Sequence, residues 1–139
     1  HLLAMYLPAL ASGWFVERLG ATGLMHAGAW TMAGCVAVAA IGGHEVIHYW
    51  WALVLLGVGW NFLFVGATTL LTTTYRPAER FAAQSANDFA VFGAQAIASL
   101  AAGALVHRVG WERLNLATAP LLALLLVALV LASRRRAET

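Results

Sequence analysis

The sequence contains no lysine, and few of its residues carry a charge. Only 10% of the 139 residues are charged, whereas 62% are apolar. A soluble fold of this size needs a polar surface that so few charged residues do not supply, which excludes a soluble domain. The single cysteine, Cys35, has no partner for an intrachain disulfide. The net charge of +2 comes from arginines at the ends of apolar runs, so we expect no nucleic-acid partner.

Long apolar runs separate the charged clusters. Each run approaches the ~20 residues that an α-helix needs to cross the ~30 Å hydrocarbon core of a bilayer. The sequence therefore predicts an all-α fold, a polytopic transmembrane helical bundle that forms a single domain over residues 1–139. The chain starts at His1 within an apolar run, which favours a fragment of a longer protein. The five predicted spans are residues 2–16, 22–41, 49–74, 81–106 and 114–132.

The arginines are distributed unequally between the two sides of this predicted bundle. Short loops that keep positive charge stay on the cytoplasmic side of a membrane. We therefore expect the C-terminus in the cytoplasm, on the side that carries more arginines. That side has Arg18, Arg76, Arg80, Arg134, Arg135 and Arg136, and the other side has Arg108 and Arg113.

The loop after the first predicted span carries a family motif. Residues 13–20 read G-W-F-V-E-R-L-G, which resembles the G-x-x-x-D-R-x-G loop of the major facilitator superfamily. Residues 57–62, G-V-G-W-N-F, and residues 84–89, Q-S-A-N-D-F, are similar to the tenth and eleventh helices of bacterial members. Glu17 stands where the family usually has aspartate, and Ala21 and Thr22 replace a basic pair.

This resemblance implies a function for the whole chain. It implies the last five of twelve helices of a secondary active transporter of small solutes, which works by alternating access in the bacterial inner membrane. Its partners would be a small-molecule substrate, membrane lipid and the missing N-terminal half, with no cofactor and no enzymatic activity. Proton-coupled efflux and uptake both stay open. Glu17 and Arg18 would hold a cytoplasmic gate, against the alternative of a solvated turn with a weak ion pair.

Polar residues mark one face of the fourth predicted span. Asp88 is the only carboxylate deep inside an apolar run, and ionisable groups there are costly enough to suggest a function. It lies about 12 Å along the helix from the predicted cytoplasmic end, which favours a gate together with Asn87 and Gln84. Proton or ion coupling and a purely structural carboxylate are the alternatives. Gln95, on the same face, lies closer to the predicted membrane centre and is a candidate for the substrate cavity.

The third predicted span has a matching polar face. At 100° per residue, Gly57, Asn61, Thr68 and Thr72 fall within about 60° of one another. We expect this face to line a cavity with the fourth span, and Asn61, Trp60 and Thr68 are further candidates for the substrate cavity. Small residues predict close helix packing in a membrane. They include Gly57, Gly59, Gly66, Gly93 and Gly103.

The segment H-E-V-I-H at residues 44–48 matches a zinc protease motif, in which two histidines one helical turn apart bind the metal. A third ligand is needed, and Asp88 lies about 15–20 Å away along the bilayer normal in the predicted topology. We therefore expect no metal site. An intramembrane zinc metalloprotease using His44 and His48 stays as one alternative to the transporter, and a structural membrane module is another.

Overall fold

The computed structural model describes residues 1–41 and 46–137. Five α-helices follow one another: α1 (Leu2–Tyr6), α2 (Ser12–Ile41), α3 (Val46–Leu71), α4 (Arg80–Val109) and α5 (Trp111–Ala137). Short 3₁₀ turns at Pro8–Ala11 and Pro77–Glu79 precede α2 and α4. The described part of the chain contains no β-strand, which confirms the prediction of an all-α bundle.

The number of span-length helices is four, not five. Helices long and apolar enough to cross a membrane cover Leu2–Ala40, Val46–Leu71, Pro77–Val109 and Leu116–Arg134. The count differs from the predicted five because the first two predicted spans are counted together as one helical run, Leu2–Ala40, which is interrupted at Gly20. Within that run only Gly20 has non-helical backbone angles, with φ 69° and ψ 163°.

Gly20 nevertheless reverses the direction of the chain. We call residues 1–19 the first arm and residues 21–41 the second arm. Along the first arm, Ala4 lies near Gly57 of α3, and Phe15 contacts Phe62 with ring centroids 5.1 Å apart. Along the second arm, the contacts run in the opposite direction on α3. Ala21 lies beside Gly66, and Cys35, further along the arm, lies beside Ala52. The two arms are therefore antiparallel along the same helix.

Prolines and glycines set the other connections. Pro77 is the first residue of its 3₁₀ turn, a position whose backbone N–H has no hydrogen-bond partner within the turn, so the N–H that proline lacks is not needed. Arg76 before it has an extended backbone. The Glu79 carboxylate accepts a hydrogen bond from the Arg76 backbone N–H at 3.2 Å, which closes this turn. Gly110, with φ 83°, is the single residue between α4 and α5. The predicted connection at residues 107–113 is thus mostly helical.

The tightest packing lies between the second arm and α3. Leu24 and Ala29 are fully buried, and Gly28 faces Gly59 across the interface. A Cβ atom added to Gly28 would lie 3.0 Å from the Gly59 carbonyl oxygen, which shows how closely the two backbones approach. Small residues permit such close approach where lipid removes the hydrophobic drive for association.

Helix α4 is the most exposed helix of the bundle. None of its residues is buried by the rest of the described chain, and Phe89 and Leu100 are each 82% exposed. Its glycines, Gly93 and Gly103, have nothing within 4 Å of an added Cβ among the described residues. The prediction of close helix packing is confirmed for Gly57, Gly59 and Gly66. For Gly93 and Gly103 it stays a prediction, because no described residue of this chain packs against them.

Candidate functional site

A cavity of about 410 Å³ lies between the first arm, α3 and α4. Helix α4 contributes Gln95 and Ser99, which are one turn apart on the same face. Helix α3 contributes Leu56 and Trp60, which are also one turn apart. We call this space the central cavity. The remaining lining residues are His1, Met5, Ala98 and Ala102.

The central cavity lies near the middle of α3 and α4 and beside the start of the first arm. Gln95 is about 22 Å along α4 from Arg80, and Trp60 is about 21 Å along α3 from Val46, at 1.5 Å per residue. Both positions are far from the ends of helices that cross a ~30 Å apolar layer. An amide and a hydroxyl at this depth are costly unless they meet a polar partner.

Aromatic rings connect Trp60 to α4. The Trp60 ring stacks on Phe64, with centroids 6.1 Å apart and an interplanar angle of 16°. Phe64 in turn meets Phe92 of α4, with centroids 6.0 Å apart. Stacked and tilted aromatic pairs of this kind fix ring orientation beyond what burial alone does. The row therefore holds the indole at the wall of the central cavity.

The other two cavity candidates of α3 lie elsewhere. Asn61 is only 7% exposed, and its Oδ1 has no hydrogen-bond partner among the described residues. It follows Gly57 by one turn, so it belongs to the α3 face that meets the first arm. The Thr68 hydroxyl donates to the Phe64 carbonyl at 2.6 Å within its own helix. Neither residue lines the central cavity.

Three of the predicted gate residues cluster at the start of α4. The Gln84 amide donates a hydrogen bond to the Tyr75 hydroxyl at 2.7 Å, which ties α4 to the chain that follows α3. The Asn87 amide donates to the Asp88 carboxylate at 3.3 Å, and both residues are half-buried. Asp88 lies about 10 Å along the helix from Gln95, so these groups lie beside the central cavity and not in it.

Glu17 and Arg18 lie at the same end of the bundle, next to the reversal at Gly20. Both side chains are exposed. The Arg18 guanidinium carbon lies 5.4 Å from the centroid of the Trp14 ring, within the range of a cation–π contact. A cation held over this ring is close to the membrane surface, in the position that aromatic and arginine anchors favour.

Two of the five residues of the zinc motif, His44 and Glu45, lie outside the described residues. His48 lies in the first turn of α3, and its buried Nδ1 has no hydrogen-bond partner in the described part of the chain. No group of three His, Cys, Asp or Glu side chains within residues 1–41 and 46–137 is placed to hold a metal ion. The sequence prediction of no metal site stays a prediction.

Sequence reasoning missed the contribution of the first arm to the central cavity. His1 and Met5 line it, and the His1 ring Nδ1 lies 3.0 Å from the Leu53 carbonyl oxygen. No local pattern marks these residues, because their position depends on the reversal at Gly20 many residues later. Leu56 was missed for another reason: an apolar residue inside a span carries no signal of a cavity.

Curated proteins similar to this chain are named as transporters. A riboflavin transporter, RfnT, of Brucella anthropi is 46% identical over 131 residues, which cover 94% of this chain and 33% of the relative. YdeG and YddS of Bacillus subtilis, both named uncharacterized MFS-type transporters, are 35% and 32% identical over 98% and 99% of the chain. The chain spans about a third of the length of these relatives.

Other comparisons add no further relative: no family model matches the chain, and no solved structure matches it. The names of the curated relatives agree with the prediction of a protein that is not an enzyme. They also agree with a helical bundle embedded in a membrane.

Proposed function

Because the chain belongs to the major facilitator superfamily, we propose that it forms part of a secondary transporter that moves a small solute across the bacterial inner membrane. The central cavity is the observation that carries this proposal, since Gln95, Ser99 and Trp60 bring polar and aromatic groups together at mid-depth. Residues beyond this chain would supply the opposite wall. Alternating access then follows from rocking of two helical halves around the shared cavity.

The solute that fits these groups best is a planar heteroaromatic molecule with hydrogen-bonding edges. The Trp60 ring offers a flat apolar surface for stacking, and the Gln95 amide both donates and accepts hydrogen bonds. Riboflavin has this chemistry, and the B. anthropi relative is named as its transporter. We therefore propose riboflavin, or a solute of the same class, as the substrate.

Replacing Gln95 with leucine is expected to lower uptake of radiolabelled riboflavin about tenfold, because a bound solute loses a hydrogen bond that is worth about 1–1.5 kcal/mol when its partner stays buried. The assay uses the full-length transporter that contains this chain, in membrane vesicles, with the protein amount measured by immunoblot. A second variant, Ser99→Ala, is expected to lower uptake by a smaller factor.

Ser85→Ala is the control for these variants. Ser85 is an exposed residue of the same helix, and it does not line the central cavity. Unchanged uptake in Gln95→Leu at a normal protein level would overturn the role of the cavity. Transport of a different solute that still depends on Gln95 would instead overturn only the choice of riboflavin.

The groups near the start of α4 are proposed to form a gate on the cytoplasmic side. Asp88 is half-buried beside Asn87, about two turns into α4. Gln84 anchors the helix start to Tyr75. Glu17 and Arg18 lie at the same end of the bundle, as do the arginines that predict the cytoplasmic side. A carboxylate here changes partners more easily than one buried in a tight interface, which is what a gate requires.

Asp88→Asn is expected to lower the initial rate of solute uptake about fivefold, because the neutral amide keeps the shape but removes the charge that attracts gate partners. The affinity for the solute, measured by equilibrium binding to the purified full-length protein, is expected to stay within twofold. A fall in affinity equal to the fall in rate would place Asp88 in the binding site and contradict the gate.

A further inference from the structure

A hydrogen bond between two side chains joins the second arm to α5, at the end of the bundle that the arginines predict to be cytoplasmic. The Nε2 atom of His26 lies 2.8 Å from the Ser133 hydroxyl oxygen. The two residues are 107 positions apart in the chain, and both are half-buried. Neither residue has a role in the transport function proposed above.

The surroundings of Ser133 determine which atom donates this hydrogen bond. The Ser133 hydroxyl oxygen also lies 2.8 Å from the Leu129 carbonyl oxygen, one turn earlier in α5. A carbonyl oxygen only accepts hydrogen bonds, and a hydroxyl group has a single hydrogen, so the Ser133 hydroxyl donates to Leu129. The lone pairs of the hydroxyl oxygen then accept from His26. The neutral His26 ring therefore carries its hydrogen on Nε2.

The neighbouring side chains make this hydrogen bond costly to break. Leu24, two residues before His26, is fully buried, and Leu129 is only 5% exposed. In the apolar layer of a membrane, no water replaces a partner that the ring or the hydroxyl loses. A donor left without a partner in such a place costs more free energy than an ordinary hydrogen bond contributes. We therefore expect the bond to persist while the protein changes conformation.

On α5, the hydrogen bond holds the end of the helix that is far from its chain connection. At its start, α5 is joined to α4 through the single residue Gly110. Ser133 lies about 33 Å along α5 from Trp111, at 1.5 Å per residue. Because the connection and the hydrogen bond hold opposite ends of the helix, together they restrict sideways movement of α5 as a whole.

On the second arm, the hydrogen bond lies close to the reversal of the chain. His26 is about 9 Å along the helix from Gly20, the residue at which the two arms meet. Glu17 and Arg18, two of the gate candidates, lie directly before this reversal. The second arm is itself held firmly, because Gly28 brings its backbone against α3. A link to His26 is therefore a link to the part of the chain that carries these gate candidates.

We propose that His26 and Ser133 form a clamp, which makes the cytoplasmic end of α5 move as one body with the reversal at Gly20. His26 donates through Nε2, and Ser133 carries the link on to the α5 backbone at Leu129. The clamp acts on the movement of helices and not on the solute. It therefore stands or falls independently of the substrate proposed above.

Distances between two spin labels test the clamp in the full-length transporter that contains this chain, reconstituted in nanodiscs. The labels are attached at Trp30→Cys in the second arm and Leu131→Cys in α5, because these side chains are 67% and 54% exposed. Cys35 and any other native cysteine are replaced by serine. Double electron–electron resonance is expected to give one narrow distance distribution. Two separate distances would overturn the proposal, because the two helices would then part from each other in the working protein.

Two replacements of His26 separate the hydrogen bond from the bulk of the ring. His26→Phe keeps a ring but removes the donor, and it is expected to broaden the distance distribution at least twofold. His26→Gln has an amide N–H that can donate in place of Nε2–H, so the distribution is expected to stay narrow. His107→Phe is the control, because His107 is an exposed histidine of α4, and it is expected to cause no broadening. Equal widths for His26→Phe and His26→Gln would contradict the clamp.

The tautomer of His26 gives a second test, which does not depend on the folding of His26→Phe. Nuclear magnetic resonance of the protein with ¹⁵N-labelled histidine distinguishes the two neutral tautomers at about pH 8.5, where free histidine is neutral. The His26 signals are assigned by their loss in His26→Gln. We expect the hydrogen on Nε2. A hydrogen on Nδ1 would leave the Ser133 oxygen without its donor and would overturn the clamp.

Discussion

Replacing Gly28 with valine is expected to force α2 away from α3 and to lower the free energy of unfolding by about 3 kcal/mol, at the upper end of the range for overpacking. An added Cβ would lie 2.9 Å from both the Cγ atom and the backbone nitrogen of Leu63. It would also lie 3.0 Å from the Gly59 carbonyl oxygen. Two of these three atoms belong to the backbone of α3, so a side-chain rotation does not relieve the clash. The two helices have to separate.

The measurement is the unfolding equilibrium of the full-length protein in mixed micelles with increasing sodium dodecyl sulfate. Gly93→Val is the matched control, because it makes the same change in a long helix where nothing lies within 4 Å of the added Cβ among the described residues. The control is expected to change the free energy of unfolding by less than about 1 kcal/mol. Equal effects of the two variants would show that valine acts through helix propensity and not through the packing of Gly28.

Gly20→Ala is expected to lower the free energy of unfolding by about 2 kcal/mol, through backbone strain alone. The backbone angles of Gly20, φ 69° and ψ 163°, lie in a region that only glycine adopts readily. No described atom lies within 4 Å of an added Cβ, so steric contact with a neighbour plays no part. Either the alanine is strained or the two arms lose their antiparallel course along α3.

Gly13→Ala is the control for this effect. Gly13 also has open space around an added Cβ within the described residues, but it lies in α2 without a positive φ. Alanine is the better helix former, so this variant is expected to gain up to about 1 kcal/mol. Thermal unfolding in nanodiscs, followed by tryptophan fluorescence, compares the two. A Gly20→Ala protein as stable as the Gly13→Ala protein would rule out backbone strain at the reversal.

The class of the fold follows from the sequence because it depends on properties that are local. Runs of apolar residues about as long as a bilayer is thick determine where helices cross, and this needs no knowledge of tertiary contacts. The number of helices does not follow from local sequence alone. Residues 2–40 count as one stretch by length and apolarity, whereas the charged loop in the sequence and the non-helical backbone of Gly20 both divide them into two antiparallel arms.

Packing depends on pairs of residues, and a single sequence does not specify the pairs. Gly59 and Gly93 look equivalent in the sequence, yet Gly59 meets Gly28 across an interface while Gly93 faces open space among the described residues. A small residue permits close approach, but the approach happens only where the opposite helix also has a small residue at the same height. The sequence pattern contains the first condition and not the second.

The candidate site was predictable on α4 and less so on α3. Gln95 and Ser99 share a face by helical period, and the structure places both at the central cavity. The polar residues of α3 also share one face by helical period, but that face does not meet the cavity. Asn61 is buried on the side of the first arm, and Trp60 lines the cavity instead. Which face of a helix meets which neighbour depends on the reversal at Gly20, a tertiary event that periodicity does not encode.

Leu56 and Trp60 line the central cavity and also a lateral cavity of about 700 Å³ between the second arm, α3 and α5, and this has a mechanical consequence. Any rotation of the indole that widens the central cavity narrows the lateral one, because the same ring bounds both volumes. A molecule bound in one cavity therefore opposes any widening of the other cavity, since that widening would push the Trp60 ring against it.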